Sequence, residues 1–384
     1  MSQTDVANMA NIQKVLIVGG GIAGLSTAIG LRRAGVEAEI VEIKKEWTVY
    51  HVGIIVFANF IRAMVTLGIA DKCVAAGFPY HDLRFYDMQG NFLSSVGGAK
   101  LAGPNYPASL GLTRPALHKV LSETAMELGT RIRLGLTASD LEESAGRISV
   151  KFTDGTRGEY DFVVGADGID SKLRGMLFGD GHGPKFTGQG TWRCQIPRPK
   201  DLDHALIYDG RSKGKAGVVP LTQETAYLFK VAAEPGNPRF PADRFAECLR
   251  ERLEGFGGLI GEIRDRDITA ASQIVYRPLE ALILPTPWYR GRVLLIGDAA
   301  HATTPHLGQG AAQAVEDAVV LAELLPKDAP LTELLDAFMR RRYERHKFIV
   351  EASVQIGEWE QHPSPDADFI GLTAKSMEVT AEPI

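Results

Sequence analysis

The stretch Gly19-Gly20-Gly21-Ile22-Ala23-Gly24 narrows the possible folds more than any other part of the chain, because of what lies on either side of it. Lys14 to Val18 (KVLIV) precedes it as an apolar run without polar alternation, the pattern of a parallel strand buried on both faces. Leu25 to Ala34 follows as a helix, and Glu37 to Glu42 (EAEIVE) as a second strand ending in acid. Gly19 makes the tight turn, Gly21 lets a pyrophosphate approach the backbone, and Gly24 lets helix and strand pack closely. Ile22 and Ala23 sit between them at the helix start. Glu42 is then placed to accept hydrogen bonds from an adenosine ribose; the alternative is an exposed carboxylate at a strand end. The hexapeptide alone is a weak signal. Strand, turn, helix and acid in this order point to dinucleotide binding.

A second strand-turn-helix unit lies near the other end of the chain. Val293 to Ile296 is again continuously apolar, Gly297-Asp298 closes it, and Gln309 to Leu325 is a run of helix formers ended by Pro326. A helix that starts in Gly308-Gln309-Gly310-Ala311 has almost no side chains to keep a ligand from its free amides, which favour negative charge. Asp298, at the carboxyl end of the strand, stands where open parallel sheets place ligand contacts, and a carboxylate there suits hydroxyls rather than phosphate. An ordinary αβ unit with a glycine-lined loop is the alternative. Between the two units, Glu159 to Val164 reads as a strand running into Gly165-Ala166-Asp167-Gly168, with a helix after it. Two strand-Asp turns in one chain are hard to explain by packing alone.

The remaining chain fills in around these turns. Its 384 residues and 45% hydrophobic content allow about two domains with full-sized cores. A net charge of −5 gives no general attraction to nucleic acid or anionic lipid, so neither partner is expected. Cys73, Cys194 and Cys248 are widely separated and in no metal-like spacing, which predicts buried thiols, a reducing cytoplasmic compartment and no metal site. Met1 to Gln13 is too polar for a secretion signal, and Val15 to Leu31, interrupted by glycines, reads as strand and helix rather than a membrane span. Leu83 to Ser95 predicts a hairpin, and Asp154-Gly155 another. Pro115 suits the first turn of a helix through Leu128, which leaves Arg114 at a helix start, an odd place for a cation unless an anion is close. A solvated surface arginine is the alternative. From Gly179 to Leu284, short β-type runs predict an antiparallel sheet. Thr332 to Trp359 predicts a long helix whose Arg340-Arg341-Arg342 forms a solvated face, and Pro363 to Ile384 a loosely held tail.

With the three turns in hand, the chain resembles the single-component FAD-dependent aromatic hydroxylases, the group that includes para-hydroxybenzoate, salicylate and urate hydroxylases. The resemblance rests on Gly19–Gly24 with Glu42, on the D-G-x-x-S-x-x-R run Asp167 to Arg174, and on Gly297-Asp298 with Pro305 and Gly308-Gln309-Gly310. It implies an α/β fold: a Rossmann-like FAD-binding domain over residues 12–75, 99–180 and 286–330, with an inserted, mostly antiparallel β-sheet substrate domain over 76–98 and 181–285. A long C-terminal helix over 331–361 and the tail 362–384 complete it, as a monomer or homodimer. It also implies that Gly19, Gly21 and Gly24 hold the FAD pyrophosphate and Glu42 the adenosine ribose. Arg114 lies beside the cofactor, Asp167 belongs to the motif tied to FAD and NAD(P)H use, Asp298 bonds the ribityl chain, and Pro305 to Ala311 flank the isoalloxazine. The arginine often found after the acidic residue is missing; Ile43-Lys44-Lys45 stands there, and Lys44 is the candidate to take its place.

The activity implied is hydroxylation of a small aromatic or heteroaromatic substrate with O2 and NADH or NADPH, through a flavin C4a-hydroperoxide. Reduced flavin is an anion at N1–O2, which suits the amides of Gly310 and Ala311. A phenolic substrate calls for a general base. His306, in the flavin-flanking loop, is the first candidate; a ring that faces solvent or only spaces the loop is the alternative. Arg193, Tyr208 and Tyr227, in the sheet expected to cover the flavin, are further candidates unless they are structural strand residues. His51 and Trp192 are weaker ones, and His301 is expected to brace the Asp298 turn. An epoxidase, a reductase or a drug-modifying monooxygenase would share the cofactor motifs, and a non-enzymatic flavin-binding sensor would share the cofactor alone.

Overall fold

The computed structural model describes residues 12–49, 52–144 and 146–384. At its centre is a six-stranded sheet in the order Tyr289–Arg290, Val293–Leu295, Phe162–Gly165, Lys14–Val18, Glu37–Glu42, Arg131–Leu134. All neighbours run parallel except the first pair. Val15, Leu16, Ile17, Phe162, Val163, Leu294 and Leu295 are all buried, which is why these strands carry no polar alternation. Helices Ile22–Arg33 and Gly310–Leu324 pack against each other so closely that a Cβ on Gly30 would lie 2.7 Å from Ala322.

A seven-stranded sheet has the order Ile274–Ala281, Lys185–Pro197, Thr225–Ala233, Lys215–Pro220, Ala205–Asp209, Asp82–Asp87, Phe92–Gly97. It is antiparallel except where Ala205–Asp209 pairs with Asp82–Asp87, and the predicted hairpin supplies the last two strands. Each face has its own apolar layer, because side chains alternate along every strand. Trp192, Leu206, Tyr208 and Leu228 pack against the short helices Phe245–Arg252 and Gly258–Arg266. Arg193 neighbours Trp192 and takes the other face, with Val219, Tyr227 and Phe229. That face meets a three-stranded sheet of Gly53–Phe57, Ser109–Thr113 and Phe78–Tyr80. The approach is tight: a Cβ on Gly111 would sit 2.1 Å from the Pro220 carbonyl, and one on Gly53 would sit 2.3 Å from the Tyr227 ring.

Three local expectations are corrected. The strand expected over Glu159 to Val164 is two strands, Arg157–Tyr160 and Phe162–Gly165, in different sheets. Asp161 divides them, its Oδ2 accepting the Gln13 and Lys14 amides at 3.0 and 2.8 Å. Arg342 does not belong to a solvated face: it is wholly buried, because Glu316 and Asp317 on the neighbouring helix are buried too and need a cation. The expected loose tail contains a helix, Phe369–Ala381, started by Asp368, whose Oδ1 accepts the Gly371 amide at 2.7 Å. The long helix is present as Leu331–Gln361. Among the described residues, no helix is long and apolar enough to cross a membrane, and the three cysteines are buried and free.

Candidate cofactor and substrate site

The three sequence-distant turns converge at the carboxyl ends of the central strands. Gly19 has φ +111°, and a Cβ there would lie 2.2 Å from the Ala166 carbonyl, so the glycine turn abuts the Asp167 turn directly. A Cβ on Gly24 would come 2.0 Å from the Gly19 carbonyl, whereas nothing lies within 4 Å of the Cβ direction of Gly21. The turn is therefore closed where helix and strand pack and open where a pyrophosphate would approach. Arg174 ties the other two turns together, with Nη1 donating to the Ala299 carbonyl at 3.1 Å and Nη2 to the Ile169 carbonyl at 2.7 Å. Asp167 spends its carboxylate on its own turn, accepting from Ser171 Oγ at 2.5 Å and from the Lys172 and Leu173 amides at 2.8 and 3.1 Å.

Glu42 accepts the Gly20 amide on Oε2 and the Lys44 amide on Oε1, both at 2.9 Å. This aims the carboxylate along the glycine turn, and each oxygen keeps a second lone pair for a ribose hydroxyl. The Lys44 ammonium donates to the Thr48 carbonyl at 2.9 Å. Trp47 lies over Gly20, where a Cβ would meet the indole at 2.7 Å, and its ring is 4.6 Å from that of His118. His118 Nε2 stands 3.1 Å from the Gly20 carbonyl, a contact that requires the nitrogen to carry the proton.

Asp298 follows Gly297, whose φ is +58°. Its side chain is reached by solvent, yet enough protein surrounds it for burial to raise the carboxyl above its ordinary pKa, with His301 and Arg114 opposing. The carboxylate thus stands exposed at the strand end, with Arg114 and His301 near enough to oppose the shift. Arg114 stands near Asp298: burial, then the Arg193 charge, lower its guanidinium, while Asp298 and Tyr227 oppose the shift. The helix Gly310–Leu324 has no side-chain cap, so its first amides remain available, and the turn before it carries Gly308 at φ +64° against Phe57. Pro305 opens that turn, and Ala311 is the second helical residue.

The candidates for substrate and base separate. Arg193 and Tyr227 come together with Arg114, whose electrostatics both affect. Tyr208 does not: it faces the opposite layer, stacked on Tyr86 at 5.2 Å, with its hydroxyl accepting the Leu259 amide at 3.3 Å. Trp192 is on that side as well, donating Nε1 to Glu234 at 2.9 Å. His306 neither faces solvent nor joins Arg114, Arg193 and Tyr227. Its Nδ1 is 2.8 Å from Thr304 Oγ1, its Nε2 is 3.3 Å from Glu360 on the long helix, and burial lowers its pKa. His51 lies outside the described residues. Tyr80 and Ser109, opposite each other in the three-stranded sheet, were missed, since no motif marks them. Burial raises the Tyr80 hydroxyl, and the Tyr80 hydroxyl, Ser109 Oγ, Arg114 Nε and Arg193 Nε are all buried without a hydrogen-bond partner.

His301 braces the Asp298 turn as expected. Its Nε2 is 2.7 Å from Asp317 Oδ2, which also accepts the Gly297 amide at 3.1 Å. The His301–Asp317–His346 group has the spacing of a metal site, but Arg342 Nε donates to Asp317 Oδ1 at 3.0 Å and supplies the positive charge there. The group is an ion-pair network.

A nucleotide cradle of three turns beneath an antiparallel cover defines a flavoprotein of the aromatic-hydroxylase class. A family described as an FAD binding domain matches residues 13–353, and the chain belongs to that family of FAD-dependent monooxygenases. It is 32% identical to a putative FAD-dependent monooxygenase, YetM, of Bacillus subtilis, over 90% of this chain and 93% of the relative. It is 34% identical to a 2-heptyl-3-hydroxy-4(1H)-quinolone synthase of Pseudomonas aeruginosa, over 91% and 90%. The solved structure of Klebsiella pneumoniae HpxO complexed with FAD and uric acid superposes with a TM-score of 0.83 at 23% identity, covering 98% of this chain and 94% of that one.

Proposed function

We propose that the protein hydroxylates a small aromatic or heteroaromatic compound bearing a ring carbonyl or anionic oxygen, using FAD, O2 and NADH or NADPH. The observation that carries this reading is the set of buried polar atoms without a hydrogen-bond partner around Arg114 and Tyr227: Arg114 Nε, Arg193 Nε, the Tyr80 hydroxyl and Ser109 Oγ. Two guanidiniums and two hydroxyls offer donors to a ligand, and buried donors left without acceptors are costly. A ring carrying acceptor oxygens satisfies them. The quinolone for which one relative is named and the uric acid complexed with HpxO are heteroaromatic compounds with ring carbonyls.

In this reading Gly19, Gly21, Ile22, Ala23 and Gly24 border the pyrophosphate, Glu42 takes the adenosine ribose and Asp298 the ribityl hydroxyls. Lys44 lies at the adenosine end and Asp167 shapes the turn beside the pyrophosphate. Pro305, Gly308, Gly310 and Ala311 present backbone to the isoalloxazine, and the cradle fits such a group because Gly21 is open and Asp298 stands exposed at the carboxyl end of its strand. Bound FAD supplies the electron transfer and the reaction with oxygen. The protein binds, orients and excludes water: Arg193 orients the acceptor oxygen of the substrate, Arg114 adds positive charge, and Tyr227 Oη, beside both, exchanges a proton with a phenolic group.

The test is a screen of the purified yellow protein against phenols, benzoates, hydroxypyridines, quinolones and purines. At least one carbonyl-bearing heteroaromatic compound is expected to accelerate NADH or NADPH oxidation with oxygen uptake. No acceleration by any member of the panel would favour a flavin-binding sensor.

A further inference from the structure

We propose that residues 363–384 form a strut that fixes Gln309 and so holds the flavin-flanking turn in place. Arg62 donates to the carbonyls of Thr380, Ala381 and Glu382 at 3.1, 2.8 and 2.8 Å. Arg345 donates to the carbonyls of Glu382 and Pro383 at 3.0 and 2.7 Å. Guanidiniums at the carboxyl end of the Phe369–Ala381 helix satisfy acceptors the helix leaves free and match its dipole.

The same two arginines face inward to one carboxylate. Arg345 Nη1 is 3.3 Å from Glu316 Oε2, and Arg62 Nη2 is 3.9 Å from Glu316 Oε1. Glu316 is fully buried and also paired with Arg342 at 2.8 Å. Asn59 bridges it to the turn, donating Nδ2 to Glu316 Oε1 at 3.0 Å and to Gln309 Oε1 at 2.9 Å. Gln309 returns a bond to Asn59 Oδ1 at 3.4 Å and is the residue that starts the Gly310–Leu324 helix. An unbroken series of contacts thus runs from the 380–383 carbonyls to the backbone of Gly308–Ala311. Without those carbonyls, Arg62 and Arg345 turn to solvent, Glu316 keeps Arg342 alone as its ion-pair partner, and the carboxylate from which Asn59 holds Gln309 is less tightly fixed. The link to flavin rests on the reading that this turn lies beside the isoalloxazine; the link to Gln309 does not.

The test compares the holoenzyme with a chain ending at His362, and with the full-length variants Arg345→Gln and Asn59→Ala, by amide hydrogen exchange and by the visible flavin spectrum. Exchange of the Gly308–Ala311 amides is expected to quicken about ten-fold in all three, while the central strands keep their protection. Asn59→Ala cuts the series beyond the arginines, so it should loosen the turn and leave the 369–381 helix protected. Should the shortened chain not fold, Arg345→Gln carries the comparison. Unchanged exchange at 308–311 in Arg345→Gln, or loosening only in Asn59→Ala, would overturn the strut. A loosened turn with an unshifted flavin spectrum would keep the strut and instead overturn the placement of the isoalloxazine.

Discussion

The carboxylate of Asp317, in the middle of a buried helix, accepts the backbone amide of Gly297 at 3.1 Å and thereby anchors the turn that presents Asp298. Four side chains or amides converge on it, from Gly297, His301, Arg342 and His346. Burial alone would raise its pKa; the His346 and His301 rings outweigh that and hold it well below the usual carboxylate range. Removing the charge leaves Arg342 and the Gly297 amide short of an acceptor. Asp317→Asn is therefore expected to cost about 3 kcal/mol of stability, read from urea unfolding of the apoprotein. A change of less than about 0.5 kcal/mol, the scale of a surface substitution, would show that the network is not what fixes the turn.

Asp298 gives a prediction on cofactor retention and its pH dependence. Asp298→Ala should purify colourless or bleach on dialysis, and full retention of tightly held FAD would remove the residue from the cradle. In the wild type, burial raises the Asp298 carboxyl, whereas ribityl hydroxyl donors favour its charged form. Binding then releases a proton at pH values near the raised pKa, so FAD affinity tightens as the pH rises through it and levels off above. Asp298→Asn should abolish that slope in a fluorescence titration.

Trp47 tests which part of the cradle takes the adenosine. Its indole covers Gly20, next to Glu42, and packs on His118; under the proposed function this is where the adenosine half lies. Trp47→Ala should weaken FAD binding to apoprotein about ten-fold, by loss of aromatic contact and of the His118 bond it shelters. FMN lacks the adenosine half, so its affinity should not move. Equal losses for FAD and FMN would place Trp47 elsewhere.

Lys230 supplies a titration on the Trp192 face of the seven-stranded sheet. It is fully buried, donates to the Lys213 carbonyl and at 3.0 Å to the Val231 carbonyl, and burial brings its pKa down to about 7. Glu360 and Glu234 raise the pKa, and Arg252 and Lys213 lower it. Between about 7 and the ordinary 10.5 the unfolded chain holds the proton that the folded chain has lost. Stability therefore rises with pH across that window through this group. Relative to Lys230→Met, the wild type should gain stability from pH 7 to 10 in paired denaturation series; a parallel pair of curves would contradict the assignment.

The local chemistry of the cradle could be read from the sequence because each turn is built by adjacent residues. Gly19 to Gly24 and Gly297-Asp298 specify their own backbone, and only their meeting depends on how the distant strands pair. Tyr208 and Tyr227 show where that stops: both are buried tyrosines in one sheet, and which face each takes depends on strand phase relative to layers contributed by distant segments. His306 sits in the expected loop, but Glu360 and Gly357 of a helix far along the chain set its direction. Arg342 looked solvated because its partners Glu316 and Asp317 lie on another helix whose own pattern, apolar nearly all round, was the sign that charges within it were buried. The Phe369–Ala381 helix had a readable start in Asp368, and its weak amphipathic pattern concealed the rest.

Incorporation of isotopic oxygen tests the central claim most directly. The holoenzyme is incubated under 18O2 with NADH or NADPH and whichever panel compound stimulates oxidation, and the product mass is measured. One atom of label on the aromatic ring is the result expected if Arg193 holds the substrate beside the flavin. An unlabelled product, or reductant consumption with hydrogen peroxide alone for every stimulating compound, would contradict the assignment as a hydroxylase.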